Sequence, residues 1–444
     1  MSDFRKTGGA FRLLGVLTIA AIVVVAGGDP SFSNKAEIDP NALGIASQTH
    51  CGEKQVRFRI TPDSPKRVVF DADRLTRYHR LCLSVLIEAG RDQTSDAPIH
   101  DLIYHQLLHK LAHKSARFYK GPDGEGVRLR DIADSREQLD LSRFDRIVFT
   151  NKEGAPHNSM AQAKFSRLLL QNAAYELERT DPDSDRARTL LALSLAIYRP
   201  VLEPIENGGL RNRAPCDLRP ERQCSWFHAV TSRTRADAPL AGGTLNKQLI
   251  VINDLFAAAA LLDEISGHEG FDYADKATEF RQAATEGYNQ LSLSTGNTES
   301  GKPPNLVDYI PRDSDGALVS ESWVYYAVNP VKQTAYFLKA APYKNCRYHI
   351  INLEALYRTL SVFGDAVDPE VARVPHPELG TSAISFYLET YKSKLDDSLY
   401  RDSPSSGDGN FTGCLDGDRP LSDEALAFLT EFATGSANEP ADPS

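Results

Sequence analysis

A succession of stretches in which apolar residues recur every three or four positions constrains this chain more than any other feature. They lie near residues 73–89, 100–120, 158–179, 184–198, 244–266, 271–291, 331–341, 348–363, 381–396 and 422–434. That spacing puts one apolar face on each helix. The last stretch also starts well, with Leu421 placed as a hydrophobic staple and Ser422 as N-cap before "DEALAFL". Strand signal is confined to "VRFRI" and "RVVFDA", inside a leader covering residues 29–72. The helices are joined by long Gly/Pro-rich connections, including a Gly/Ser/Asp-rich loop over 401–418. The expected fold is predominantly all-α: an α/α toroid of helix hairpins over residues 73–436, with a short N-terminal strand-containing segment and a flexible tail at 437–444. No exact internal repeat is visible in the sequence.

With 444 residues, 41% of them hydrophobic, the chain can bury a large core. A formal charge of −10 argues against general affinity for nucleic acid, so any acidic ligand has to be met by a local basic patch. The stretch "GGLRNRAPCDLRPERQCSWFHAVTSRTR" supplies one, with Arg211, Arg213, Arg219, Arg222, Arg233 and Arg235 interleaved with Trp226, Phe227 and His228. Guanidinium forks match carboxylates and sulfates, and the aromatic rings suit stacking on sugars; a solvated Arg-rich loop is the plainer alternative.

At the N-terminus, Arg5, Lys6 and Arg12 precede the apolar run "LLGVLTIAAIVVVA", followed by small residues, so residues 1–28 read as a signal peptide or N-terminal anchor. The run is short for a membrane span. The expectation is an exported protein, periplasmic or anchored in the inner membrane and facing the periplasm. Six cysteines fit an oxidising compartment, and Cys216 and Cys224 form the natural local pair around the turn-rich "DLRPERQ". His105, His109 and His113 share one helical face, but no nearby Asp, Glu or Cys completes a metal set. In "GDGNFTGCLDGDRP", Arg419 stands where a calcium loop needs its bidentate Glu. No metal and no cofactor are expected.

The stretch "NCRYHIINLEALYRTL" opens with Arg347, Tyr348 and His349 at what the spacing marks as a helix start, where they could be a cap or a site. Three further stretches bear on the choice. "NSMAQAKFSRLLLQNAAY" begins a helix, "LNKQLIVINDL" sets Asn246 and Asn253 on one helical face, and "STGNTESGKPPNLVDYIPR" carries Tyr309 and Arg312 in a loop. The order S-x-M-A-Q, L-N before an apolar helix, a T-G loop with Y-x-x-R, then Y-H and a Leu-rich helix resembles the C-terminal catalytic domain of D-glucuronyl C5-epimerases. The resemblance spans roughly residues 155–365. It implies an α/α toroid and an active site containing Tyr309, Arg312 and Tyr348. The family's acidic residue followed by tyrosine, upstream of the L-N helix, has no counterpart here, where the chain reads "CSWFHAVTSRTR". An insert separates Tyr309 from Tyr348, and the family's large N-terminal β domains have no room.

Epimerisation at C5 of a uronate removes a proton alpha to the carboxylate and returns one on the opposite face, so two groups must handle protons. Arg312 would neutralise the carboxylate and the enolate-like intermediate. Tyr309 and Tyr348 would be the opposed acid and base, with the phenol that acts as base lowered by a cation such as Arg312 or Arg347, and His349 in reserve. Asn246, His349, Trp226, Arg233 and Arg235 would bind the substrate, an acidic uronate-containing polysaccharide. A homodimer is compatible with the sequence. Two alternatives stay open: a polysaccharide lyase, in which one tyrosine suffices, and a non-catalytic periplasmic polysaccharide-binding protein.

Overall fold

In the computed structural model the residues described are 35–37, 57–60, 68–70, 111, 116–119, 144–149, 159–179, 182–228, 244–296, 302–319, 323–324, 342–395 and 421–434. The apolar N-terminal run, Arg233 and Arg235, the helices expected at 73–89 and 331–341, the three spaced histidines and the loop 401–418 lie outside them. Among the described residues no helix is long and apolar enough to cross a membrane.

The chain divides into two compact units, Met1–Ala89 and Gly90–Ser444. In the first, β1 (Lys35–Glu37), β2 (Arg57–Ile60) and β3 (Val68–Phe70) form an antiparallel meander in which Phe58 opposes both Ala36 and Phe70. The two strands read from "VRFRI" and "RVVFDA" are there, and β1 adds a third within the leader.

The second unit is mostly helical. It contains β4 (Ala116–Tyr119) paired with β5 (Arg146–Phe149), helices α1 (Ser159–Glu178) and α2 (Ser184–Leu202), a hairpin of β6 (Arg211–Pro215) and β7 (Gln223–Phe227), and helices α3 (Leu245–Ser266), α4 (Ala274–Leu293), α5 (Pro342–Phe363), α6 (Pro369–Arg373), α7 (Ala383–Leu395) and α8 (Asp423–Thr434). Helices α1, α3 and α5 stand side by side in one row; α2 packs on α1 and α4 on α3, forming a second layer. Tyr198 ties that layer together, its ring edge-on to Phe280 of α4 at 4.7 Å and its hydroxyl donating to the Asp254 carbonyl of α3 at 3.1 Å. Burial fits this sandwiching: α1 is enclosed almost all round, with Phe165, Leu169, Leu170 and Ala173 at 1% exposure or less. Helices α7 and α8 cover α5, with Tyr357 edge-on to Phe428 at 5.5 Å. Ser422 caps α8 as expected, its hydroxyl accepting from the Ala425 N–H at 3.2 Å.

Four local expectations are corrected. The stretch 100–120 is not helical throughout: Ala116–Tyr119 is a strand, because β5 offers it a ladder from a distant part of the sequence. Helix α2 runs past Tyr198 and through Pro200 to Leu202, since proline removes only one intrahelical bond and the last turn tolerates that. Helix α5 begins at Pro342, a residue preset for the first helical position, so Tyr348 and His349 are its seventh and eighth residues and are not a cap. Over Arg211–Phe227 the Arg-rich stretch is a hairpin, not an open loop. Arg211 and Arg213 fall on one face of β6, two residues apart, and both pair with Glu286 of α4, Arg213 at 2.9 Å. Ser225, opposite Arg213 in the ladder, donates to the same carboxylate at 3.0 Å. Cys216 and Cys224 are disulfide-bonded across the turn, as expected.

Candidate active site

Three clamps define one end of the helical row. Gln162 is the fourth residue of α1; its Oε1 accepts from the Phe149 N–H of β5 at 3.0 Å and its Nε2 donates to the Ile197 carbonyl of α2 at 3.1 Å. Gln248 is the fourth residue of α3; its Oε1 accepts from the Phe227 N–H of β7 at 3.0 Å, and its Nε2 lies 3.0 Å from the Ser225 carbonyl and 3.4 Å from that of Gly287 in α4. Ile197 and Gly287 are each the fourteenth residue of their helices. In α5 the same job falls to His349, whose Nε2 lies 2.9 Å from the Tyr387 carbonyl of α7 while Nδ1 faces the Val324 N–H at 3.5 Å. Each clamp bonds a backbone N–H of the segment before its helix and a carbonyl of a helix behind it, so one side chain ties three segments together. Here is the repeat the sequence conceals: the function of the side chain recurs while its identity changes.

The clamps also fix direction. Phe227 is held by Gln248 through its N–H, and its carbonyl lies 3.5 Å from the Ser159 hydroxyl of α1, so α1 and α3 start at the same level. At the end of α4, Gln290 donates to the Pro303 and Pro304 carbonyls and the Leu306 N–H bonds Leu291, fastening the segment 302–319 there. Asp217 in the β6–β7 turn holds the same corner through Thr295 and Lys302. Gly296 has a φ of +64°, and a β-carbon on it would collide with the Asp308 carboxylate, so the T-G pair of the loop is required by its backbone. The Tyr387 hydroxyl then donates to the Leu306 carbonyl at 2.7 Å, and its ring stacks on His349 at 5.1 Å. Trp323 meets His349 edge-on, also at 5.1 Å. The start of α5 and the Tyr309 loop therefore belong to one end of the row, the end where α1 and α3 also begin.

The expected site residues take different places in it. Tyr309 closes a 3-10 turn, Val307–Tyr309, and is fully buried. Burial first, then the neighbouring Tyr387 and Asp308, push its phenol well above the ordinary tyrosine value. The lowering that Arg312 was expected to provide is absent for this tyrosine. Arg312 turns outward: it donates to the Gly316 carbonyl at 2.9 Å and pairs with Glu378 at 2.6 Å, with its side chain 41% exposed. Tyr348 is partly exposed on α5, one residue before the clamp. His349 is fully enclosed, and desolvation brings its imidazole down to about 4, so it is neutral at physiological pH. Asn246 is buried in the first turn of α3, and its Oδ1 has no hydrogen-bond partner among the described residues. Trp226 is 1% exposed, packed in the core rather than presenting an open face. Of the arginines expected to form a patch, Arg211 and Arg213 are spent on Glu286 and Arg222 on Asp368.

No protein-family model, curated protein or solved structure matches this chain. What the site can do therefore rests on its own groups: a buried phenol held protonated, a partly exposed tyrosine on the adjoining helix, and polar groups at the first turn of α3. Sequence reading passed over Gln162, Gln248 and Tyr387. The two glutamines were within reach, since each is the fourth residue of a helix preceded by a phenylalanine-ended strand, whereas Tyr387 becomes visible only through its contacts.

Proposed function

We propose that this chain is an α/α toroid enzyme that inverts C5 of D-glucuronate residues in an acidic polysaccharide. The observation that carries this reading is the hydrogen bond from Tyr387 to Leu306, together with the stacking of Tyr387 on His349, which joins the Tyr309 loop to the Tyr348 turn of α5. Repetition of the strand, helix and helix unit supports a toroidal arrangement of hairpins. In the reaction, Tyr348 takes the C5 proton as phenolate, the electrons pass into the carboxylate as an enolate-like species, and a proton returned from Tyr309 on the other face gives the epimer. Burial keeps the Tyr309 phenol protonated, which the donor role requires, while making its proton harder to give up. Because Tyr309 is enclosed, turnover on this reading requires its phenol to become accessible to the substrate.

The same enclosure favours a second reading, a lyase. Tyr348 alone would then take the C5 proton and return it to the departing C4 oxygen, leaving an unsaturated uronate. Incubation with glucuronate polymers in deuterated water separates these outcomes: deuterium at C5 in a mixture of epimers, a new absorbing double bond, or binding without turnover. Tyr348→Phe keeps the ring and its packing, so turnover should fall roughly 100-fold or more with little change in thermal stability. An unchanged exchange rate in this variant sinks both catalytic readings.

A further inference from the structure

The turn that ends at Tyr309 is gripped on both sides by one downstream segment. Asn305 and Asp308 close the turn on itself, each side chain accepting from the other's backbone N–H at 2.9 and 3.0 Å. Before the turn, the Asn305 amide nitrogen lies 3.5 Å from the His376 ring, and Tyr387 donates to the Leu306 carbonyl. After it, the Arg312 guanidinium pairs with Glu378 at 2.6 Å. The holds on Asn305 and Leu306 are buried. The Arg312–Glu378 pair faces solvent, its side chains 41% and 43% exposed.

Both partners of that pair are presented by built turns. His376 is buried, and its Nδ1 accepts the Glu378 N–H at 3.2 Å. The Leu379 and Gly380 N–H groups both bond the His376 carbonyl, and Gly380, at a φ of +65°, turns the chain back so that the His376 N–H meets the Thr381 carbonyl at 2.9 Å. Glu378 therefore stands at the tip of a turn with a buried anchor. On the other side, Arg312 bridges Leu318, and the Val319 N–H bonds the Pro311 carbonyl at 2.8 Å. Nη1 of Arg312 donates to the Gly316 carbonyl at 2.9 Å, which fixes the guanidinium and aims Nη2 at the carboxylate. A carboxylate on a fixed guanidinium is also the contact a uronate would make.

We propose that Glu378 is a built-in competitor: it occupies the carboxylate site on Arg312, and a substrate uronate enters by displacing it. This rests on the uronate-polysaccharide reading given above. The exchange swaps one carboxylate for another on the same guanidinium and breaks no buried bond, since Gly316 keeps Nη1 while Asn305 and Leu306 keep the Tyr309 turn in place. Exposed ion pairs are weak, which makes this one displaceable. Glu378 is then a specificity device: a neutral sugar has nothing with which to replace it.

The test is binding of a glucuronate-containing oligosaccharide and of its counterpart with the carboxylate reduced to an alcohol, measured by calorimetry on the full chain. The native protein should prefer the acid. Glu378→Gln removes the competitor and should tighten the acid about 2–5-fold while leaving the alcohol unchanged. Arg312→Gln should abolish the preference, and adding Glu378→Gln to it should then change nothing. If Glu378→Gln tightens the acid equally in the Arg312→Gln background, it acts only through the overall charge and the displacement is wrong. If the native protein prefers the acid and Glu378→Gln leaves its affinity unchanged or weaker, the displacement is likewise wrong and the uronate reading survives. If neither the native protein nor Glu378→Gln prefers the acid, both fall.

Discussion

His349 was singled out as a reserve proton carrier, and its surroundings give it other work. Held between Val324 and Tyr387 and enclosed by Trp323, it replaces the glutamines that serve α1 and α3. Its titration is a stability term. The unfolded imidazole takes up a proton near pH 6.5 and the folded one only near 4, so between those values the unfolded state binds more protons and stability falls as the pH falls. Across that window the loss amounts to about 3 kcal/mol and is complete below about 4, with none of it present above 6.5. His349→Gln should keep the clamp and remove this share of the acid sensitivity, whereas His349→Ala should be destabilising at every pH. Denaturant melts of the three proteins at pH 7 and pH 5 decide the matter; equal pH dependence in the native and glutamine forms would refute it.

At the scale of elements, β7, α3 and α4 are closely joined beside the candidate site. Gly287 sits mid-helix in α4, where glycine ordinarily costs about 1 kcal/mol relative to alanine. A β-carbon there would stand 2.8 Å from the Phe227 ring and 2.9 Å from Ile252, so the helix needs glycine to let the strand approach. Gly287→Ala should therefore destabilise by about 1–3 kcal/mol, reversing the usual gain from this exchange in a helix. A melt showing higher stability in the alanine variant would mean that the strand can shift freely. Glu286, one residue earlier, explains why the basic patch is less available than its composition suggests. A single carboxylate on α4 gathers two arginines of β6 and a serine of β7, and so docks the hairpin on the helix.

For the molecule as a whole, the Cys216–Cys224 bridge is the covalent part of that docking. It closes a short loop, and the chain-entropy account assigns such a loop about 2.5 kcal/mol of stabilisation. Domain stabilities of about 5–15 kcal/mol make this a substantial share. Replacing both cysteines by serine should lower the denaturant midpoint accordingly and loosen the corner that Asp217 shares with Thr295 and Lys302. An unchanged midpoint would show that the ion pairs to Glu286 hold the hairpin unaided.

Periodicity in the sequence determined the helices, since each must bury one face and the spacing of apolar residues declares that face locally. Ser422, the local cysteine pair and the two strands of the leader were legible for the same reason: each signal lies within a few residues. The strand pairings, the start of α5 and the hairpin were not, because ladders join segments far apart in sequence and an arginine-rich strand is indistinguishable from a loop until its partner is known. The site divides along the same line. Tyr309, Arg312 and Tyr348 were picked out as candidates by their order along the chain, but only the tertiary structure decided that Tyr309 is buried and raised, that Arg312 is neutralised by Glu378, and that Gln162, Gln248 and His349 do one job. Those outcomes depend on desolvation and on partners brought together by packing, and neither is written in the spacing of residues along the chain.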